Sequence, residues 1–231
     1  MVNQKAKRGA EVNFRELTSE EQEQFKMAKQ KEIDSYMERA AVDIATKVGV
    51  DEERVMGMRW ILVWKNEVNQ DGEVVGRKPK ARLIIKGFQD PDLLKIERDA
   101  PTLSTIGRNL VFAITSKRRW KMALGDIKTA FLNGDDTEYA RQIYGELPDD
   151  VKQYLGMSEK ELFRIRKAIY GLLNAPRKWV EKLWKELKKD GWIQSTLEPC
   201  VWRLFSNNEL VGLLGIHVDD IVTSGEGELY E

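Results

Sequence analysis

The spacing of apolar residues changes at Arg59, and that change restricts the chain to folds that mix helix with sheet. Upstream, Ile33, Met37, Ala40, Ile44 and Val48 recur every three or four residues, the period of one helix face. Thr18 with Glu21 reads as a capping box that starts this helix, and Gly49 as its stop. The pattern predicts an accessory helix that docks on something else and carries no chemistry. The residues before it, 1–17, read as polar and frayed. Downstream, Trp60-Ile61-Leu62-Val63-Trp64 reads as a strand, Asn69-Gln70-Asp71-Gly72 as a turn, and residues 80–86 as the returning strand. On that strand Ala81, Leu83 and Ile85 share one face, while Lys80 and Arg82 point to the other. Two cations on one face could grip a phosphate; they could equally guard a strand edge.

The later segments alternate in the same way. Residues 106–115 read as a helix, 121–126 as a strand ending on an acid, and 142–144 and 162–165 as short strands. Pro176 fits the first turn of a further helix and Gly191 its end, with Val180, Leu183, Trp184 and Leu187 as the apolar stripe. Residues 201–205 and 210–216 form a second hairpin candidate, and the latter runs into His217-Val218-Asp219-Asp220. The fold class that follows is α+β.

Composition removes several alternatives. In 231 residues there is one Cys and one His, too few for a disulfide scaffold or a four-ligand zinc site. No apolar run approaches the roughly 20 residues that span a membrane, and no signal peptide is visible. A soluble intracellular domain is expected, in a cytoplasmic particle or the nucleus. The formal net charge is zero, but it is unevenly spread. Residues 77–121 hold twelve Lys/Arg against four Asp/Glu, whereas residues 219–231 hold five acids and no base. A basic segment beside acidic clusters suits a protein that handles phosphates through metal ions, although solvated faces of alternating sign produce the same count.

Acids stand where apolar strands meet turns at two places, Asp126 and the pair Asp219-Asp220. Neighbouring residues on a regular strand face opposite ways, so both acids of the pair reach one site only if the backbone turns there. Apolar runs on either side suggest such a turn. Carboxylates are the ligands that hard divalent cations take, and Mg²⁺ is usually held by one or two of them plus substrate phosphates. Taken alone, acids at strand ends are more often turn or cap residues.

Several blocks in order carry more. They are Trp64-Lys65, Lys80-Ala81-Arg82-Leu83-Ile84, the nine residues from Asp126-Ile127-Lys128-Thr129-Ala130-Phe131 to Leu132-Asn133-Gly134, Ala168-Ile169-Tyr170-Gly171-Leu172 through Ala175-Pro176-Arg177, and Val218-Asp219-Asp220. Together they resemble the copia-type reverse transcriptases of LTR retrotransposons, over residues 58–225. The helical segment before them resembles the one preceding this domain in Pol polyproteins.

The resemblance implies a right-hand polymerase, fingers and palm over residues 58–231, preceded by an N-terminal helical segment, 1–57. It implies an antiparallel palm sheet bearing catalytic Asp126, Asp219 and Asp220. Two Mg²⁺ or Mn²⁺ ions would sit on Asp126, Ile127, Asp219 and Asp220. Lys80 and Arg82 would neutralise the incoming triphosphate, Phe131 would crowd the sugar 2′ position, and Asn174 would stand near the nucleotide. By position alone Phe131 reads as a core aromatic. Implied partners are an RNA or DNA template with primer, dNTPs and the remainder of a Pol polyprotein, with no membrane. The chain departs from the family in three respects. His217-Val218 replaces the usual Tyr-Val, Leu173-Asn174 replaces Lys-Gln, and the residues after Asp220 are too few for a thumb or ribonuclease H domain. Two readings follow: an RNA-directed DNA polymerase, or an inactive truncated remnant that at most binds nucleic acid or a partner.

Overall fold

The computed structural model describes residues 11–69, 71–127, 129–133 and 141–227. It divides into two units, Met1–Lys95 with Asp136–Leu173, and Ile96–Asp135 with Asn174–Glu231.

In the first unit, helix α1 (Ser19–Glu38) begins with the expected capping box. Glu21 donates its N–H to the Thr18 hydroxyl, and its carboxylate accepts the Thr18 N–H at 3.0 Å. The helix ends well before Gly49. Ala40 has φ 47°, which no helix interior tolerates, and Val42–Thr46 leaves as strand β1. Ile44 and Val48, expected on the buried stripe, are 44% and 79% exposed. The segment before α1 is not wholly frayed. The Val12 N–H donates to the Leu62 carbonyl at 2.8 Å and Phe14–Glu16 forms a 3-10 turn, whereas residues 1–10 lie outside the described residues.

Strands β2 (Val55–Val68) and β3 (Val74–Ile85) make the long hairpin, whose turn includes Gln70, outside the described residues. The span Ile96–Asp135 belongs to the second unit. The first unit then resumes with β5 (Tyr144–Glu146) and β6 (Glu161–Ile165), strands separated by a short helix at Asp149–Leu155. The sheet order is β1-β6-β5-β2-β3, and β5 runs parallel to β2, a long-range pairing that no local spacing encodes. Phe25 of α1 is buried against Leu62 and Ala81, with its ring edge-on to Trp64 at 4.8 Å.

The outer edge of β3 is closed by side chains and by a loop. The Tyr36 hydroxyl of α1 donates to the Leu83 carbonyl at 2.6 Å, and the Ile85 N–H donates to the Tyr170 carbonyl at 2.9 Å. One turn earlier on α1, Glu32 takes a charge-assisted hydrogen bond from Arg82 at 2.7 Å, and the guanidinium lies over the Tyr170 ring at 4.7 Å. Gly171 follows with φ 97°, and a Cβ there would run into the Ile85 carbonyl oxygen. The Tyr-Gly of the sequence block is therefore a backbone-contact signature.

The second unit opens with α2 (Thr105–Arg118), whose Ser104 cap accepts from the Gly107 N–H. Its sheet has the order β4-β10-β9-β8-β7, every pair antiparallel: β4 (Lys121–Asp126), β7 (Ile193–Gln194), β8 (Val201–Ser206), β9 (Glu209–His217) and β10 (Asp220–Gly225). Helix α3, here the second long helix of this unit, spans Ala175–Lys189 with Pro at its first turn. Successive strand residues enter different cores, as the two-residue period requires. Val201, Leu213 and Val222 pack with Val111 and Trp120, while Trp202, Leu214 and Ile216 pack with Leu187. Burying each such side chain contributes about 1.5–3 kcal/mol. Strand β4 is the exception, an edge strand with all six residues exposed. Among the described residues no helix is long and apolar enough to cross a membrane.

Candidate active site

The three acids meet at one end of the second sheet. Asp126 is the last residue of β4, and the register places it opposite Asp220, the first residue of β10. Asp220 is in turn opposite His217, the last residue of β9, so Val218 and Asp219 form a two-residue hairpin turn. Ligand oxygens of Asp126, Asp219 and Asp220 lie within 4.8 Å of one another, and all three residues are exposed. The donors are carboxylates, crowded and open to solvent, the set that suits Mg²⁺ or Mn²⁺. These three Asp could bind a metal ion.

Local geometry holds the acids together. Val218 has φ 62°, a left-handed value costly for a β-branched residue. Positive φ at the first turn residue alone is the pattern of a type II′ hairpin turn. The Ile127 N–H donates to the Asp219 carbonyl at 3.0 Å, tying the end of β4 to that turn. From α3, the Trp179 indole N–H donates to the Val218 carbonyl at 2.9 Å. Trp179 lies two residues past the Ala175-Pro176-Arg177 block, and no spacing rule pointed to this contact. A cavity of about 300 Å³, lined by Ala100, Pro101, Pro176, Val180 and Val218, adjoins the turn.

The other expected residues are placed as follows. Phe131 sits on the 3-10 turn Ala130–Asn133, half-buried against the cluster of Ala130, Trp179 and Val180. Ile127 follows Asp126 directly, while Lys128 and Gly134 of the same block lie outside the described residues. Asn174 precedes α3; it is buried, its side chain makes no cap, and its Oδ1 has no hydrogen-bond partner among the described residues. His217 is exposed, with Nδ1 3.4 Å from the Leu103 carbonyl. Lys80 and Arg82 belong to β3 of the first unit. There Glu32 engages Arg82, and burial raises the Glu32 carboxyl above its ordinary range despite the pull of that guanidinium.

Residues 46–229 match the family described as reverse transcriptase (RNA-dependent DNA polymerase). The chain belongs to the copia-type reverse transcriptases. It is 32% identical over 174 residues to the retrovirus-related Pol polyprotein from transposon RE2 of Arabidopsis thaliana, which covers 74% of this chain and 11% of that polyprotein. The RE1 polyprotein of the same plant matches with the same identity and coverage. The polyprotein from transposon TNT 1-94 of Nicotiana tabacum is 26% identical over 212 residues, 91% of this chain and 15% of its own. This reverse transcriptase region therefore spans about a tenth to a seventh of the curated relatives it matches, 11–15%.

Proposed function

We propose that the chain is the polymerase portion of a retrotransposon Pol polyprotein, with the second unit as palm and the first as fingers. The segment 1–57 would be the N-terminal helical part that precedes residues 58–231. The observation that carries this reading is the convergence of Asp126, Asp219 and Asp220 at one hairpin end. These acids, with the Ile127 backbone, would hold two Mg²⁺ or Mn²⁺ ions. Such ions supply Lewis-acid activation of a hydroxyl and neutralise charge on leaving pyrophosphate.

The reaction is transfer of dNMP from dNTP to a primer 3′ end, directed by an RNA or DNA template. The 3′ oxygen attacks the α-phosphorus, its proton is lost, and the bond to the bridging oxygen breaks to release pyrophosphate. The protein's part is positioning and charge neutralisation. The turn fixes Asp219 beside Asp220, and β4 brings Asp126 to them. Lys80 and Arg82 would neutralise the triphosphate, Phe131 would bar a 2′ hydroxyl, and Asn174 would stand near the nucleotide.

Primer extension with Mg²⁺ or Mn²⁺, on parent chain, Asp126→Asn and Asp219→Asn, tests the proposal. Extension by the parent and none by either variant, with unchanged circular dichroism, is the expected result. Full activity in Asp219→Asn would sink the metal assignment. No extension by the parent, where a longer piece of the same polyprotein extends, would favour the inactive remnant.

A further inference from the structure

Arg82 is held by an acid from outside its own hairpin. Glu32 of α1 accepts from its Nη1 at 2.7 Å, and the guanidinium lies over the Tyr170 ring at 4.7 Å. The Glu32 side chain is 4% exposed and that of Arg82 27%. Glu32 cannot move far without its helix, which is anchored by buried Phe25 and by the Tyr36 hydroxyl on the Leu83 carbonyl. Arg82 can, because its long side chain reaches the surface. All of these residues lie in the first unit, and α1 precedes residues 46–229, the part that matches the polymerase family.

Stability alone is a weak reason for this pair. Burying two opposite charges roughly breaks even against apolar packing, and Oε1 of Glu32 is buried with no hydrogen-bond partner among the described residues. What the carboxylate does set is the charge and the direction of Arg82. A guanidinium offers the same fork of donors to a carboxylate and to a phosphate. Lys80 stands two residues earlier on the same face of β3, so a phosphate arriving there meets a cationic site whose arginine is already neutralised.

We propose that Glu32 is a built-in counter-anion for Arg82, a stand-in for the incoming triphosphate that the nucleotide must displace. The inference rests on the reading of Lys80 and Arg82 as triphosphate ligands, and adds to it a latch carried by α1. When Arg82 turns from Glu32 to a phosphate, the carboxylate is left buried without its partner, so the exchange weakens the binding of the anion. Neutralising Glu32 removes that penalty and the repulsion between carboxylate and phosphate. It leaves Arg82 in place, because a glutamine side-chain oxygen accepts the same hydrogen bond.

Calorimetric titration of the full chain with inorganic tripolyphosphate, without divalent metal, tests it. Glu32→Gln should bind about ten- to a hundredfold more tightly than the parent, the scale of removing one charge several ångströms from the anion at an effective dielectric constant of about 20. In the double variant Glu32→Gln with Arg82→Gln, a neutral pair that strands no charge, that gain should vanish. Glu20→Gln changes the net charge equally but lies twelve residues away on α1. That is about 18 Å, beyond the Debye length of about 8 Å at physiological salt, so it should bind like the parent. Circular dichroism is recorded for every variant. Binding by Glu32→Gln equal to or weaker than the parent's would overturn the latch alone, and so would a gain that survives the loss of Arg82. No binding by either the parent or Glu32→Gln would overturn the triphosphate reading of Arg82 with it.

Discussion

Trp179 holds Val218 by the carbonyl: its indole N–H donates at 2.9 Å to a residue whose φ of 62° the chain would otherwise avoid. Val218 is the residue immediately before the acidic pair, so this contact sets where Asp219 and Asp220 stand. The strain is stored at the turn and offset from a helix.

Val218→Gly should therefore weaken metal binding without lowering stability. Relief of the left-handed valine is worth about 1–3 kcal/mol, and the freer unfolded chain takes back about 0.5–1 kcal/mol. The side chain borders a cavity, so its removal costs little packing. Urea unfolding should show anything from no change to about 2 kcal/mol of stabilisation, while Mn²⁺ binding, followed by electron paramagnetic resonance, weakens. Destabilisation with unchanged Mn²⁺ binding would contradict the strained-turn account.

Phe131 is half-buried against Trp179 and Val180, so it has a packing role whatever else it does. Phe131→Ala should cost about 2–4 kcal/mol of stability on that ground. If the ring is also the sugar gate, the same variant should admit ribonucleotides in single-nucleotide extension. Close packing of this kind discriminates by about 1–3 kcal/mol, roughly ten- to hundredfold. An unchanged dNTP/rNTP ratio would assign the ring to packing alone.

Glu32 supplies a pH signature. Burial raises its carboxyl above the ordinary 4.5, with Arg82 pulling the other way. The folded chain thus takes up a proton at higher pH than the unfolded chain does. Ionised Glu32 weighs against folding at neutral pH, and that weight lifts as pH falls through the raised value toward 4.5. Glu32→Gln lacks the titration, so the parent should gain stability relative to it on acidification. At neutral pH the Gln variant should lie within about 1–2 kcal/mol of the parent, whereas Glu32→Ala, which strands Arg82, costs more. Urea midpoints that track each other across pH would refute this.

Gly171 and Gly156 both have positive φ, 97° and 67°, but only Gly171 has backbone in the path of a Cβ. Gly156→Ala should cost about 1 kcal/mol, the price of a left-handed alanine. Gly171→Ala should cost at least about 2–3 kcal/mol, because β3 must move as well. Equal thermal shifts would mean that the approach of Gly171 to Ile85 is not maintained in solution.

Much of this was legible because it is local. Asp126 ends a short apolar run, and the apolar stretches around Asp219 and Asp220 suggest a turn between them, so β4, β9 and β10 could be read from local composition and punctuation. α1 was read too long for an instructive reason. Ile44 and Val48 continue its spacing by coincidence, and only the backbone at Ala40 shows that the chain has already turned into β1. Pairings across long separations left no trace: Glu32 with Arg82, the parallel run of β5 beside β2, and Trp179 with Val218. Each depends on a partner residue that no window along the chain contains.

A sheet edge is an invitation to any extended chain nearby. At the Leu83–Ile85 end of β3 the Tyr36 hydroxyl occupies the Leu83 carbonyl and the Tyr170 carbonyl occupies the Ile85 N–H, so a foreign strand finds that end of the ladder already taken. At β4 the outer ladder has no such cover among the described residues, and Leu124 is 81% exposed. Self-association at high concentration should therefore begin at Lys121–Asp126, and the acid that closes that strand would be drawn into the aggregate with it.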